Sequence, residues 1–272
     1  MTIENTIASD IEHVLAETVS SPEDIYVVNP AQETIVALVN TLDALDSPPT
    51  VRLLAPERPL KQVMDDFIVA STAADLIDEG TLSLRLLDEQ PVNSLLVTDE
   101  NVVSLVTATD GAAGLRTDDG SFVSSTAEFY ADRWETAGEF TLRTPPLSRV
   151  RSTLAAEISE EARADFDAVL DSLSTARSDG EGIDEVTISL LVAARNRELL
   201  YDISKWGEDV GLASKATFSR TKTQLEDKGL LNTEKVPIDV GRPRLRLLLG
   251  DERLQHADAT ELAGVAIDLL SE

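Results

Sequence analysis

Hydrophobic residues in the first half of the chain alternate between strand and helix spacings. The run IYVVN at 25–29 is typical of a buried strand, a helical pattern with four apolar residues on one face covers 31–45, and VRLLA at 51–55 is again typical of a strand. This order predicts a βαβ unit. Further along, NSLLVT at 93–98 and NVVSLVT at 101–107 predict two strands joined as a hairpin.

Glycines and aromatic residues mark the next segment. The sequence DGAAGLRTDDG at 110–120 has three glycines and predicts a loop or turn, without the G-x-G-x-x-G spacing of a phosphate-binding loop. The βαβ unit and the strands that follow it predict a first domain of the α/β class over 1–147, for which a sensor or effector role is expected. The segment 124–138 predicts a helix that packs on the sheet through Phe129, Tyr130, Trp134 and Ala137.

Two further helical patterns carry apolar stripes. The stripe within 148–177 either forms a dimer seam or packs against the chain's own domains. Because SDGEG at 178–182 predicts a flexible joint, the segment 148–182 is interpreted as a helical connector. A last helix at 257–270, within the terminal segment 251–272, suits dimerisation. The first stripe consists of Leu154, Ile158, Phe166, Val169, Leu170 and Leu173, and the second of Leu262, Val265, Ala266, Leu269 and Leu270.

Between these stripes the pattern predicts three helices and a hairpin. The second helix ends at Gly211 and the third runs from Ser214 to Gly229. Serine is a good N-cap because its oxygen accepts backbone N–H bonds, and glycine ends helices because it tolerates positive φ. LLNTEKV and RLRLLL then flank PIDVGRPR, which predicts a β-hairpin with a long loop. This layout predicts a winged helix-turn-helix domain over 183–250.

One face of the third helix carries residues suited to DNA. With Phe218 and Leu225 inward, the outward side has hydrogen-bond donors and no carboxylate before Glu226. In the major groove Arg binds guanine, Gln binds adenine, and Ser or Thr binds a base or phosphate, while arginines at the hairpin tip reach the backbone or minor groove. The alternative is a solvated amphipathic helix followed by an ordinary hairpin. The predicted DNA-binding residues are Ser214, Lys215, Thr217, Ser219, Arg220, Lys222, Thr223, Gln224, Arg242 and Arg244.

The distribution of charge supports a polyanionic partner for this region. The chain has 50 acidic and 23 basic residues, a net charge of -27, and only six of the basic residues are Lys. Within 195–253, however, 12 basic residues face 10 acidic ones. Since clustered Lys and Arg neutralise phosphates, double-stranded DNA is the expected partner. The excess of Asp and Glu in the rest of the chain indicates a surface that stays hydrated in molar salt, as in the cytoplasm of a halophile. The alternative is the acidic surface of a mesophilic protein.

Several classes of protein are excluded or disfavoured by residue types that the chain lacks. It has no cysteine, and His13 and His256 lie far apart without a second ligand motif. Disulfides, thiol catalysis, metal centres and catalytic triads are therefore not expected, and neither is a cofactor. The N-terminus lacks the features of a signal peptide and no apolar run approaches the ~18 residues of a membrane span, so a cytoplasmic location without membrane contact is expected.

The second half resembles known DNA-binding families. SKATFSRTKTQLEDKGLL at 214–231, followed by GRPRLRL at 241–247, resembles the recognition helix and wing of regulators of the MarR and TrmB kinds. LLYDISKWGEDVGLASKATFSRTK at 199–222 is similar to the haloarchaeal TbsP regulators. The resemblance implies a sequence-specific transcriptional regulator of central carbon metabolism genes, from an archaeon, with a sugar or phosphorylated metabolite as effector. The winged helix comes last here, whereas it comes first in TrmB relatives.

Residues 1–145, which include FYADRW at 129–134, resemble the phospholipase D-like effector domain attached to TrmB-type regulators. The implied fold is an α/β N-terminal domain, phospholipase D-like but degenerate, with a C-terminal winged helix-turn-helix domain. Phospholipase D catalysis uses an H-x-K-x4-D motif with a His nucleophile and a Lys that holds phosphate. Val92 and Ser94 stand at those two positions here, with Asp99 at the matching spacing, so the chain is not expected to be an enzyme.

These expectations combine into a homodimeric DNA-binding regulator. A single winged helix reads a short half-site, and two are commonly joined to reach adequate specificity. The alternative from another class is an acidic α/β metabolite-binding protein or enzyme whose winged helix mediates protein contacts.

Overall fold

The computed structural model describes residues 6–19, 24–88, 91, 93–109, 111–176, 183–238 and 243–271. The chain forms two compact units, Met1–Leu142 and Arg143–Glu272, called here the first and the second unit. Each unit buries its own set of apolar side chains.

A mixed sheet forms the centre of the first unit. Its strands are β1 (Thr6–Ala8), β2 (Asp24–Val28), β3 (Thr50–Ala55), β4 (Leu82–Leu86), β5 (Ser94–Val97), β6 (Val102–Ala108) and β7 (Gly111–Thr117). In the described residues their order across the sheet is β1-β7-β6-β5-β2-β3-β4. The neighbours β2, β3 and β4 are parallel and the other neighbours are antiparallel. The predicted βαβ unit and the predicted hairpin of β5 and β6 are both confirmed.

Helices cover the two faces of this sheet unequally. They are α1 (Ile11–Val19), α2 (Gln32–Asp43), α3 (Glu57–Met64), α4 (Phe67–Asp78) and α5 (Gly120–Thr136). Helices α1 to α4 pack on the face that bears Val27, Leu53 and Leu96. Among the described helices, α5 alone packs on the opposite face, where it contacts Val28 and Val97.

The glycine-rich segment after the hairpin is a strand, so the loop predicted for it is wrong. Strand β7 pairs with β6 over its whole length and with β1 on its other side. A Cβ atom at Gly114 would lie 2.9 Å from Val103 Cγ1 and 3.0 Å from Val14 Cγ1. The glycine therefore lets α1 approach the sheet closely, and the small residues that suggest a turn serve packing instead.

Helix α5 is present where the aromatic pattern predicts a helix. Tyr130 and Trp134 are buried against the sheet, and Ala137 packs on the same cluster, as predicted. Phe129 is half exposed, so its predicted place on the sheet is wrong. The inward positions of α5 recur at Val123, Tyr130 and Trp134, and Phe129 lies about 100° around the helix from them.

The second unit is mainly helical. Its helices are α6 (Leu147–Glu157), α7 (Glu160–Ala176), α8 (Glu185–Arg195), α9 (Leu200–Val210), α10 (Lys215–Asp227), α11 (Glu252–His256) and α12 (Leu262–Ser271). Its strands are β8 (Leu231–Val236) and β9 (Arg244–Leu249), paired as an antiparallel hairpin. The predicted succession of three helices and a hairpin is therefore confirmed in α8, α9, α10 and the hairpin.

The apolar stripe of 148–177 belongs to the core of the second unit. It consists of two helices, α6 and α7, and α7 packs against both α6 and α8. Leu154, Phe166, Val169 and Leu170 are almost fully buried there. Of the two interpretations left open by the sequence, packing within the chain is the one observed for these four residues. The joint predicted at 178–182 lies outside the described residues.

The last helix starts later than predicted. It begins at Leu262, whereas the predicted helix of 257–270 begins at residue 257. Asp258 Oδ1 accepts hydrogen bonds from two backbone N–H groups that follow it, at 2.9 and 3.0 Å. This carboxylate holds a turn ahead of the helix. Leu262 and Ala266 of the predicted dimer stripe are buried, and α12 packs against α7 of the same chain.

Helices α9 and α10 cross at a glycine. A Cβ atom at Gly207 would lie 2.3 Å from Cε2 and Cζ of Phe218, closer than two carbon atoms can approach. Trp206, the residue before Gly207, is buried, and its Nε1 donates a hydrogen bond to Thr153 Oγ1 of α6 at 2.9 Å. The Gly207–Phe218 contact thus determines how closely α10 lies on α9, and the Trp206 bond attaches α9 to α6.

We expect Gly207→Ala to lower the free energy of unfolding of the second unit by about 1–3 kcal/mol, because the added methyl group overpacks the contact with Phe218. Gly264→Ala in α12 is the matched control. Nothing lies within 4 Å of a Cβ there, so the better helix propensity of alanine should stabilise the protein by up to about 1 kcal/mol. Urea unfolding in molar KCl, followed by circular dichroism, measures both. A stabilised Gly207→Ala protein would contradict the tight crossing.

Candidate nucleic-acid interface

The turn between α9 and α10 is built from a left-handed glycine and a serine cap. Helix α9 ends where Gly211 adopts a φ of 94°, a conformation that glycine takes without strain. Ser214 Oγ then accepts a hydrogen bond from the Thr217 N–H at 3.2 Å and lies 3.0 Å from the Thr217 hydroxyl. Gly229, with a φ of 77°, follows α10. The predicted ends of both helices are therefore confirmed, and the two helices form a helix-turn-helix.

The outward side of α10 presents a row of polar side chains. Phe218 and Leu225 are buried as predicted, which turns the opposite side of α10 outward. The exposed residues there are Ser219, Arg220, Thr223 and Gln224. Arg220 Nη2 lies 3.4 Å from Thr217 Oγ1, and Arg220 forms no ion pair with another described residue. Its guanidinium can therefore bind an external acceptor.

Two lysines beside this row are held by carboxylates of the same chain. Lys215 Nζ lies 2.8 Å from Glu208, and Lys222 Nζ lies 2.6 Å from Glu226. Glu226 also accepts a hydrogen bond from Thr233 Oγ1 at 2.9 Å, so the Lys222 pair connects α10 to β8. The Lys222 side chain is only 12% exposed, whereas that of Lys215 is 43% exposed. Lys215 is therefore the more accessible of the two cations.

The wing is the hairpin of β8 and β9. An antiparallel β-bridge between Arg246 of β9 and Leu199 joins it to the residue before α9. At the loop end of its paired strands, Arg244 Nη1 lies 3.2 Å from Asp202, and the guanidinium lies 4.4 Å from the centre of the Tyr201 ring. Sequence reasoning misses Tyr201, which is half exposed; its place as an aromatic residue in the first turn of α9 is the only signal for it. Arg242 lies outside the described residues.

Carboxylates of α9 compensate cations at the turn. The hydrogen bond between Lys215 and Glu208 is the main cause that lowers the pKa of Glu208 and raises the pKa of Lys215. The hydrogen bond between Lys205 and Asp209 shifts their pKa values in the same directions. All four groups are thus charged at neutral pH. Exposed pairs of this kind add little stability, but a phosphate that contacts Lys215 must displace the Glu208 carboxylate or tolerate it nearby.

Other kinds of site have little to support them within the part of the chain that the structure describes. There, no group of three or more His, Asp and Glu residues could hold a metal ion. No helix among the described residues has the length and apolar character needed to cross a membrane. A shallow cleft of about 750 Å³ in the second unit has Asp165 and Arg195 on its wall, and these two side chains are paired with each other at 3.2 Å.

The capped α10, its exposed polar row and the adjoining hairpin define a winged helix-turn-helix protein. The chain belongs to the TbsP-like transcriptional regulators. Residues 3–145 match the family described as "Transcriptional regulator TbsP-like, N-terminal", and residues 146–267 match "Transcriptional regulator TbsP-like, C-terminal HTH domain". The resemblance to TbsP regulators that 199–222 carries is thereby confirmed.

Solved structures resemble the chain only in part. One, described as "Structure of TrmBL2, an archaeal chromatin protein, shows a novel mode of DNA binding", is 16% identical, covers 52% of this chain and 55% of its own, and has a TM-score of 0.37. NucT from Helicobacter pylori is 12% identical, covers 51% of this chain and 100% of its own, and has a TM-score of 0.35. These scores do not establish a shared fold, and the phospholipase D-like assignment is not confirmed. No curated protein matches the chain.

We expect Glu208→Gln to raise the affinity for any DNA duplex about three- to tenfold at 0.1 M salt, because it leaves Lys215 free to neutralise a phosphate. The glutamine oxygen can still accept the hydrogen bond from the Lys215 backbone N–H, which lies 3.3 Å from Glu208. Glu57→Gln is the matched control, since Glu57 holds Lys61 at 2.6 Å in the first unit. Fluorescence anisotropy with labelled duplex measures both. Equal affinities for both variants and the wild type would place the turn away from DNA.

Proposed function

We propose that the chain is a sequence-specific transcriptional regulator that inserts the N-terminal part of α10 into the major groove of double-stranded DNA. The observation that carries this proposal is the exposed row of Ser219, Arg220, Thr223 and Gln224 on a helix whose other side is buried. Arg220 is suited to guanine and Gln224 to adenine, since each can make paired hydrogen bonds to that base edge. The two hydroxyl residues are suited to a base or a phosphate.

The remaining predicted contacts have supporting roles in this proposal. Ser214, Lys215 and Thr217 lie at the start of α10, where backbone N–H groups and the helix dipole attract a phosphate. Lys222 contributes charge at the edge of the row. Arg244 at the loop end of the wing, together with Arg242, reaches the neighbouring backbone or minor groove.

We assign a regulatory and not a catalytic role to the first domain, 1–147, as a degenerate phospholipase D-like sensor. At the first residue of strand β5, Ser94 stands where a phosphate-holding Lys would be needed, and a hydroxyl carries no charge to replace it. In the same proposal 148–182 is a connector, 183–250 binds DNA and 251–272 is a C-terminal helix.

The proposal extends to the genes and the cell. We infer control of central carbon metabolism genes in the cytoplasm of a halophilic archaeon, with a sugar or phosphorylated metabolite as effector. The acidic composition and the similarity to haloarchaeal TbsP regulators support this inference. Mapping of bound sites across the genome, with and without a sugar in the medium, tests it.

We also propose that the protein acts as a homodimer. One winged helix reads only a few base pairs, and two-fold symmetry lets two copies read the two halves of a palindrome about one helical turn apart. A dimer has twice the mass of the 29.4 kDa chain, which light scattering measures.

We expect Arg220→Ala to remove specific binding, because a paired contact to a base edge contributes about 1–3 kcal/mol of discrimination. Arg149→Ala is the matched control, since Arg149 is an exposed arginine on α6, outside the helix-turn-helix. Arg242→Ala should weaken the binding of all sequences alike.

Gel shifts with operator and scrambled duplexes separate these outcomes. If a folded Arg220→Ala protein still preferred the operator as strongly as the wild type does, α10 would not be the reading helix. If Arg149→Ala lost the same preference, the effect would be one of net charge and not of a base contact.

Specific binding should persist at about 1–2 M KCl and vary less with salt than the ~0.9 log units per neutralised phosphate of a basic regulator. Screening over ~3 Å removes the repulsion between the acidic protein and DNA, but the gain from counterion release is also largely lost. Base contacts and DNA shape must then supply most of the affinity. Titration of labelled operator from 0.5 to 2 M KCl measures this. A steep loss of affinity, with the protein still folded, would contradict it.

A further inference from the structure

Among the described residues, no helix of the first unit covers one part of one face of its sheet. Helix α5 packs over β2, β3 and β5, whereas β1, β7 and the far half of β6 present the same face to solvent. The strand register places two rows of outward side chains there, since residues paired across antiparallel strands point to the same side. One row is Ile7, Ala113 and Val106, and the next is Leu115, Ser104 and Leu95; these six residues are called the bare sheet face, whose inner border is Leu95, partly covered by the cluster beneath α5.

The bare sheet face is unusually apolar for a surface in contact with water. Ile7 is 83% exposed, Leu115 48% and Val106 45%. An antiparallel sheet that faces water on one side normally alternates polar residues outward, and here Ser104 is the only hydroxyl among the six. Contiguous exposed apolar residues of this kind mark an interaction surface.

Charge identifies what fits this surface. None of the six residues is charged, in a chain of which 27% is charged and which carries a net charge of -27. DNA does not fit, because the face has no cation to neutralise a phosphate. A second copy of the chain fits, because a contact that buries unpaired carboxylates is costly even where salt screens repulsion, and two-fold symmetry brings the same uncharged face of each copy together.

We propose that the bare sheet face is the contact between the two copies in the homodimer; this rests on the dimer of the proposed function. Leu154, Phe166 and Leu262 of the stripes that suggested a dimer seam are buried in the second unit, whereas Leu269 and Leu270 of α12 are partly buried. Within the described residues the edge strand β1 has three residues, which offers little for pairing of sheet edges. The two sheets therefore meet face to face, as packed sheets do at about 10 Å.

The test adds a carboxylate to the face and to its matched control. Val106→Asp and Leu115→Asp each place an uncompensated charge in the contact twice, once in each copy. Thr107→Asp is the control, since Thr107 is the exposed neighbour of Val106 on β6 and points to the opposite face. By light scattering of the full chain in molar KCl, the wild type and Thr107→Asp should have twice the mass of 29.4 kDa. The two face variants should be monomers, with a dissociation constant at least about tenfold higher.

Three results would overturn the proposal: a monomeric wild type, face variants that remain dimers, or a Thr107→Asp protein that dissociates as they do. In the second case, a dimer split by Leu269→Asp would place the contact on α12. Circular dichroism confirms that each variant is folded. Operator binding is measured separately, so a wild type that binds no operator but dissociates on Val106→Asp would remove the proposed function and leave this interface standing.

Discussion

Repulsion between carboxylates is the constraint on which the surfaces of this protein depend. With 50 acidic and 23 basic residues, the chain repels any negative partner, including DNA and its own copies. Molar salt screens this repulsion, but burying an unpaired carboxylate in a contact remains costly, so such a partner binds where carboxylates are absent or paired. The exposed row of α10 has none before Glu226, which is turned onto Lys222 at 2.6 Å. The bare sheet face has none at all among its six residues. Both surfaces are therefore regions without unpaired carboxylates on an otherwise acidic protein.

The same surplus of acid shapes the way DNA is read. Carboxylates of α9 lie 2.8 Å from Lys215 and 3.2 Å from Arg244. Each of these cations is therefore partly neutralised and attracts a phosphate less strongly. More of the recognition then falls to hydrogen bonds with base edges, whose geometry must be exact to be useful. That geometry depends on the back of α10, where the ring of Phe218 lies against Gly207 and fixes the crossing of the two helices.

Signals that act over a few residues were sufficient for much of the second unit. Ser214 accepts the N–H of Thr217, and Gly211 and Gly229 adopt positive φ, so the ends of α9 and α10 follow from neighbours in the sequence. The spacing of Phe218 and Leu225 likewise identifies the buried side of α10, and with it the exposed row. These local rules explain why the winged helix-turn-helix could be predicted and why the resemblance to TbsP regulators, which lies in the same residues, was informative.

By itself, then, the sequence determined the helices of the helix-turn-helix, the wing and the acidic character of the chain. Tertiary structure alone decided which neighbour each element meets, because periodicity identifies the apolar side of one element and not the element that packs against it. Gly111–Thr117 is a strand since β1 and β6 pair with it, and Phe129 is exposed since the sheet lies on another side of α5. Lys222 and Glu226 are four residues apart on α10, so their pairing is local, but the hydrogen bond from Thr233 Oγ1 to Glu226 depends on where β8 packs against α10, which no local pattern encodes.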